Sequence, residues 1–312
     1  MADKKILIAG GSGFIGKMLA VYFSASGYEV NILSRQESDG KNFFFWNPAA
    51  EEMDEEALRG VSCIINLGGV SIADKSWTHK RKQEIVNSRM QSTDFLFHKL
   101  KTAAHTIETF ISASAVGYYG NQDDKWVDET FPPAEDFLAA CCRHWEEAAL
   151  KISSLNIRTA IFRIGIVLSK NGGALPVMSI PVKLYAGSPL GNGKQFISWI
   201  HDKDLCGLFM NAAEHKNING IYNAVSPEPQ TNKEFMKTLA RVLHRPFFLP
   251  PVPSFLLKLI LGEKAIMVTR GQRVSCKKIQ TEKFSFLYPN LETALMEIYS
   301  PYERHSPLES GE

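Results

Sequence analysis

Between residues 5 and 168 the chain alternates short apolar runs with longer stretches in which apolar side chains recur at helical spacing. Lys5–Ala9 reads as a first strand, and Phe14–Ser26 as a helix that Gly27 is placed to end. Tyr28–Ser34 is a second strand, followed by a polar loop at Gln36–Asn42. Phe43–Trp46 and Asp54–Leu58 predict a third strand and a short helix. Val61–Leu67 is apolar almost throughout, and Trp77–Ala104 is a long amphipathic helix. Ile107–Ser112 and Arg158–Leu168 are two further strands, flanking a helix near Phe137–Ser153. Strands apolar on both faces and separated by helices predict an α/β fold, a doubly wound parallel sheet covered by helices on both sides.

After residue 170 the pattern loosens. Gly172-Gly173 and Gly187–Gly193 punctuate a loop-rich stretch, and Thr231-Asn232-Lys233-Glu234 is a capping box opening a helix to about Leu243. Four prolines within Arg245–Pro253 block regular structure and predict a hinge into a small C-terminal piece. The expected division is a first domain over 1–170 and a region over 171–300 that includes a small domain from about 246. Residues 301–312 form a tail.

Apolar residues make up 45% of the 312 positions and charged residues 22%, enough to bury a sizeable core. Thirty-five basic residues balance 33 acidic ones, a net charge of +2. A nucleic-acid binder concentrates a basic excess that this total does not show, and near-neutrality gives no reason to expect a membrane-surface protein. A small-molecule substrate is the expected partner. The N-terminal apolar run is too short for a signal-peptide core, and no stretch approaches the roughly 20 apolar residues of a membrane span. The five cysteines show no C-x-x-C spacing, and Cys141 and Cys142 would point about 100° apart on a helix. No metal site is expected, and a reducing, cytoplasmic setting is.

The first strand and first helix are joined by Gly10-Gly11-Ser12-Gly13-Phe14-Ile15-Gly16, with glycines at every third position. Glycine permits the tight turn, lets backbone approach a pyrophosphate and packs helix on strand, while the helix N-terminus offers free N–H groups. In this strand–turn–helix context the motif predicts a Rossmann-type dinucleotide-binding domain. An NAD site wants a carboxylate at the end of the second strand, for the ribose 2′-OH. Here the chain has Ser34-Arg35, a hydroxyl and a guanidinium suited to a 2′-phosphate, although Glu37 and Asp39 blunt the local charge. The expected cofactor is NADP, bound by residues 1–170, with substrate bound by 171–300.

Gly10–Gly16, Asn66-Leu67-Gly68-Gly69 and Ser112-Ala113-Ser114 resemble an extended short-chain dehydrogenase/reductase. The chain is most similar to an atypical epimerase-family subgroup (NAD-dependent epimerase/dehydratase-like) with a C-terminal domain of unknown function. Matching signatures run through almost the whole chain, among them Trp77-Thr78, Ser112–Gly120, Trp145-Glu146, Ser198-Trp-Ile-His201 with Asp204, Gly271–Val274 and Tyr288-Pro289. The resemblance implies NADP contacts at Gly10, Gly13, Phe14, Ile15, Gly16, Ser34, Arg35, Leu67, Gly68, Glu84, Arg89 and Val167. Gly68 replaces a commoner alanine, a change small enough to leave its contact in place. Apart from the resemblance, Lys80-Arg81-Lys82 and Glu84 read as a solvated helix face, and His201, between apolar neighbours, as a structural histidine.

The superfamily's usual Tyr-x-x-x-Lys pair is missing. The lysine of that pair favours the charged tyrosine, so the phenol can transfer a proton near neutral pH. None of the nine tyrosines has a lysine four residues later, and the helix where the pair belongs reads Phe137-Leu-Ala-Ala-Cys-Cys-Arg-His-Trp-Glu146. Ser114 stands in the place of the family's catalytic hydroxyl, and Tyr118 is a candidate proton donor or a pocket wall. Cys141 or His144 are substitutes that nothing in the sequence marks. Two functions follow: an NADP-dependent oxidoreductase or epimerase acting on a small polar, nucleotide-sugar-like substrate, or a non-catalytic NADP(H)-binding regulatory protein. Analogy with the superfamily adds a homodimer through the long helices.

Overall fold

β1 (Lys5–Ala9) runs through the glycine loop into α1 (Phe14–Ala25). The computed structural model describes residues 4–35 and 40–300. In chain order follow β2 (Glu29–Ser34), β3 (Phe43–Asn47), β4 (Glu52–Met53), β5 (Cys63–Asn66), α2 (His79–Thr102), β6 (Thr109–Ala115), β7 (Trp126–Val127), α3 (Phe137–Leu150), β8 (Arg158–Ile164) and β9 (Ile166–Leu168). The second half adds α4 (Ala174–Lys183), β10 (Phe196–Ile197), β11 (Trp199–His201), α5 (Asp202–Glu214), β12 (Gly220–Ala224), β13 (Gln230–Thr231) and α6 (Asn232–Val242). It closes with α7 (Ser254–Leu261), α8 (Ile266–Thr269), β14 (Arg273–Val274), α9 (Lys277–Thr281) and α10 (Leu291–Tyr299).

The main sheet has the order β12-β8-β6-β5-β1-β2-β3-β4, parallel throughout except for the short β3–β4 edge. From β1 the chain winds outward to β2 and β3, then returns to lay β5 on the other side. That reversal opens a crevice at the carboxyl ends of β1 and β5. Both faces of the sheet are covered: Leu19 and Phe23 of α1 and Leu205 and Phe209 of α5 pack on one, and Phe95, Leu96 and Leu100 of α2 on the other. The predicted doubly wound α/β architecture is therefore the observed one. A further core joins α4, α6 and α10 around Trp199.

Two features depart from the expected pattern. Arg158–Leu168 is not one strand, because it breaks at Gly165, where a Cβ would lie 2.5 Å from the Ser198 carbonyl oxygen. Beyond the break β9 leaves the main sheet and pairs with β11. The main sheet also takes its last strand, β12, from beyond residue 170, so the two predicted regions interleave. The Pro-rich stretch 245–253 forms no helix or strand, and only Val252 makes a bridge, to Leu190. The predicted tail at 301–312 lies outside the described residues.

Candidate functional site

Gly10 adopts φ 79°, and a Cβ there would lie 3.0 Å from the Leu67 carbonyl. The glycine loop thus rests against the chain leaving β5, across the crevice. A Cβ on Gly16 would come within 2.5 Å of the Gly10 oxygen, so α1 starts directly on the loop. The helix is capped by Gly13, which has no side chain to bind the first-turn N–H groups, and no acidic residue lies in that turn. Those donors are left facing the crevice, a ready place for phosphate oxygens. The Phe14 ring packs on Gly172, where a Cβ would lie 2.5 Å from it. Phe14, Ile15, Leu67, Tyr118 and Val167 belong to one apolar cluster.

At the carboxyl end of β2 a cavity of about 420 Å³ is lined by Ser12, Lys17, Ser34 and Arg35. Ser34 is buried at its floor, while Lys17 and Arg35 are exposed. Two hydroxyls and two cations with no carboxylate in the lining suit a phosphate monoester dianion. Lys17 escaped the sequence reading; its signal was its place one turn into α1, four residues after Gly13. Glu37 and Asp39 lie outside the described residues.

The chain after β5 is pinned to α2. Asn66 donates from Nδ2 to Thr93 Oγ1 at 2.8 Å and accepts from the Gly68 N–H at 3.1 Å. A Cβ on Gly68 would lie 2.7 Å from Ser92 Oγ, so the glycine is matched to Ser92 and an alanine would push that hydroxyl aside. Arg89 buttresses the same loop: Nη1 donates to the Val70 oxygen at 3.2 Å and the Ile85 oxygen at 2.9 Å, with the guanidinium 5.0 Å from the Trp145 ring centroid. Glu84 is exposed, and the hydrogen bond from Arg81 holds its carboxyl below the usual range. The solvated helix face is corrected at Arg81. That side chain is buried under the 70–78 loop and donates to the Ser71 oxygen, because the N-terminus of α2 tucks beneath the loop.

The reactive end is a buried polar network. Ser114, 3% exposed on β6, donates from Oγ to Glu146 Oε1 at 2.6 Å. Arg163 of β8 clamps the same carboxylate with Nε on Oε1 at 2.9 Å and Nη2 on Oε2 at 2.8 Å. Its Nη1 donates to Tyr119 Oη at 2.9 Å, and that hydroxyl donates to Asn223 Oδ1 at 2.7 Å. Burial works to lower the Arg163 pKa, but the hydrogen bonds and charge of Glu146 outweigh it and raise the value. Burial drives the Tyr119 phenol up, so it stays a neutral donor. The Arg163 guanidinium lies 3.4 Å from the centroid of the half-buried Tyr118 ring. Arg163, which opens a stretch of family-like sequence over 163–168, has no role legible in the sequence, although an arginine inside the apolar run of β8 is a visible signal.

Cys141, Cys142, His201 and Asp204 are all enclosed by the fold. Burial pushes the Cys142 thiol to about 12 and raises Cys141 as well, so neither is a ready proton donor near neutral pH. His201 is fully buried, 2.8 Å from Glu297 and stacked on Tyr288 at 4.0 Å. Asp204 accepts the Leu287 and Tyr288 N–H groups at 2.6 and 3.0 Å. These signature residues clasp the C-terminal segment to the rest of the chain.

A parallel sheet with a glycine loop at its switch point, an uncapped helix N-terminus and a cationic pocket beyond β2 defines a Rossmann-type dinucleotide-binding protein. The chain belongs to the NAD dependent epimerase/dehydratase family, whose model matches residues 6–224, and a domain of unknown function (DUF1731) matches 252–298. The first match ends at the last residue of β12. Epimerase family protein YfhF of Bacillus subtilis is 38% identical over 297 residues, covering 94% of this chain and 97% of that protein. Mouse epimerase family protein SDR39U1 is 33% identical, covering 94% of this chain and 99% of its own length. The crystal structure of human SDR39U1 (isoform2) with NADPH aligns with a TM-score of 0.86 at 31% identity, over 94% of this chain and 98% of that one. No helix among the described residues is long and apolar enough to cross a membrane.

Proposed function

We propose that the chain is an NADP(H)-dependent oxidoreductase or epimerase of the extended short-chain dehydrogenase/reductase type, acting on a carbonyl or hydroxyl carbon of a small polar substrate. The cavity formed by Ser12, Lys17, Ser34 and Arg35 beside the glycine loop carries this reading. The human relative solved with NADPH supports it. Gly10, Gly13 and Gly16 leave room and N–H donors for a diphosphate. Ser34 and Arg35, joined by Ser12 and Lys17, hold the 2′-phosphate. Leu67 and Gly68 flank the adenine side, Arg89 and Glu84 shape the loop and helix beside it, and Phe14, Ile15 and Val167 form the apolar wall. When bound, the cofactor supplies hydride exchange at its nicotinamide. Substrate recognition falls to the region after residue 170, and the free, buried cysteines support a reducing, cytoplasmic setting.

Tyr118 is the proton donor in this scheme, with its ring resting on the Arg163 cation. Ser114 gives its single proton to Glu146, so toward a substrate it acts as acceptor, positioning a hydroxyl through a lone pair. Tyr118→Phe is expected to cut turnover by about 10²- to 10⁴-fold and Ser114→Ala by a smaller factor, both with NADPH affinity intact. Wild-type turnover in Ser114→Ala would remove Ser114 from the mechanism. The engagement of Ser114 with Glu146 favours a second reading, in which the chain binds NADP(H) without consuming it. NADPH oxidation across a broad carbonyl panel, together with NMR of nucleotide sugars incubated with the NADP⁺-loaded chain (an epimerase regenerates its cofactor), separates the two: turnover in either assay rules out the second reading, and none in both rules out the first.

A further inference from the structure

Exposed large apolar side chains concentrate in one part of the molecule. On α7 (Ser254–Leu261) only Leu257 is buried, while Phe255 is 72%, Leu259 81% and Ile260 70% exposed. At about 100° per residue Phe255, Leu256, Leu259 and Ile260 fall on one arc opposite Leu257, with Lys258 at its edge. Val177, Ile180 and Leu184 are likewise exposed on one side of α4. The two helices are laced together by the Pro-rich strap. The Gly191 N–H donates to the Val252 oxygen at 2.9 Å and the Val252 N–H to the Pro189 oxygen at 2.8 Å. The Arg245 guanidinium lies 4.7 Å from the Tyr185 ring centroid, and exposed Phe248 stands on the strap between them.

Monomers rarely leave so many large apolar side chains of neighbouring segments to water. The charges around it select what covers it. Across residues 174–191 and 245–261 the charged side chains are Lys183, Arg245 and Lys258, with no aspartate or glutamate, in a chain that is otherwise balanced. A second copy docked through this face would set the three cations against themselves. An anionic lipid surface complements both the apolar arc and the cations flanking it, and an eight-residue helix lies on a bilayer rather than crossing it.

We propose that the face built by α4, the 245–253 strap and α7 docks on an anionic membrane surface, with Phe255, Leu259 and Ile260 inserted below the headgroups and Lys258 against lipid phosphates. Co-sedimentation of the full chain with phosphatidylcholine vesicles, with and without phosphatidylglycerol, tests this. The chain pellets with the phosphatidylglycerol vesicles, less so at high salt. The double variant Phe255→Glu/Leu259→Glu loses about tenfold or more of that binding, while its unchanged NADPH titration shows that it is folded. A wild-type chain that stays in the supernatant with both vesicles overturns the proposal. So does a variant that pellets like wild type. A dimer by light scattering that the double variant splits assigns the face to a second copy instead.

Discussion

At the end of β2, Lys17 and Arg35 stand in solvent around a cavity without a carboxylate. Farther along the same crevice, Ser114, Glu146, Arg163, Tyr119 and Asn223 are buried and bonded to one another. Among the described residues the first region has no carboxylate in its lining; the second spends its charge on holding α3 to β6 and β8. Within one crevice, then, charge stands exposed at one end and is paired inside the fold at the other. The missing Tyr-x-x-x-Lys fits this contrast. Where other members place a lysine on the helix, this chain has a cation on β8 that is already paired with Glu146.

The contrast is breakable, and the largest effect is expected at the buried end. Glu146→Ala strands the Arg163 guanidinium and is expected to cost about 3–5 kcal/mol in urea unfolding. A loss under about 1 kcal/mol would show that the network is not what holds these elements together. At the exposed end, Arg35→Asp should leave stability unchanged but weaken NADPH by about 10- to 100-fold, as expected for a charge-assisted hydrogen bond, and relatively favour NADH. Unchanged NADPH affinity would remove Arg35 as the phosphate clamp. Lys17→Ala should cost only about three- to tenfold, for NADPH and not NADH, and the loss should shrink with salt.

The smallest effect lies at Glu297, intermediate in burial. Burial works to raise its carboxyl pKa, but the hydrogen bond from Lys203 and the charge of His201 leave it lowered overall. A carboxylate with a depressed folded value contributes stability that is complete above its unfolded pKa, about 4.3, and is lost as pH falls through the folded value. Melting temperatures recorded through that acid range should fall more steeply for wild type than for Glu297→Gln. Parallel curves would show that the clasp does not depend on that charge.

The strands near the glycine loop were legible because each of β1, β2, β5 and β6 is a short apolar run bounded by glycine or polar residues. The dinucleotide cofactor was legible too, since a glycine loop between a strand and a helix is a local feature of the sequence. Long-range pairings were not. Arg163 meets Glu146 across strand and helix, and Arg81 looks like one more solvated charge until the 70–78 loop closes over it. The local excess of cations over α4, the strap and α7 disappears in a net charge of +2, because its three cations come from two segments more than 50 residues apart. Nothing in the local sequence sets Lys183 near Arg245; the strap does.

Gly165 carries a consequence for how the chain behaves as a whole. By letting one strand divide, it puts Val167, on the apolar wall of the crevice, into the same two-stranded ribbon as His201, whose ring is bound to Glu297 of α10. One short ribbon therefore joins the apolar cluster around Phe14 and Leu67 to the clasp that holds the last helix. The segment matched by DUF1731 is no detachable appendix: truncation before residue 252 would leave the nucleotide crevice with a wall that has lost its anchor.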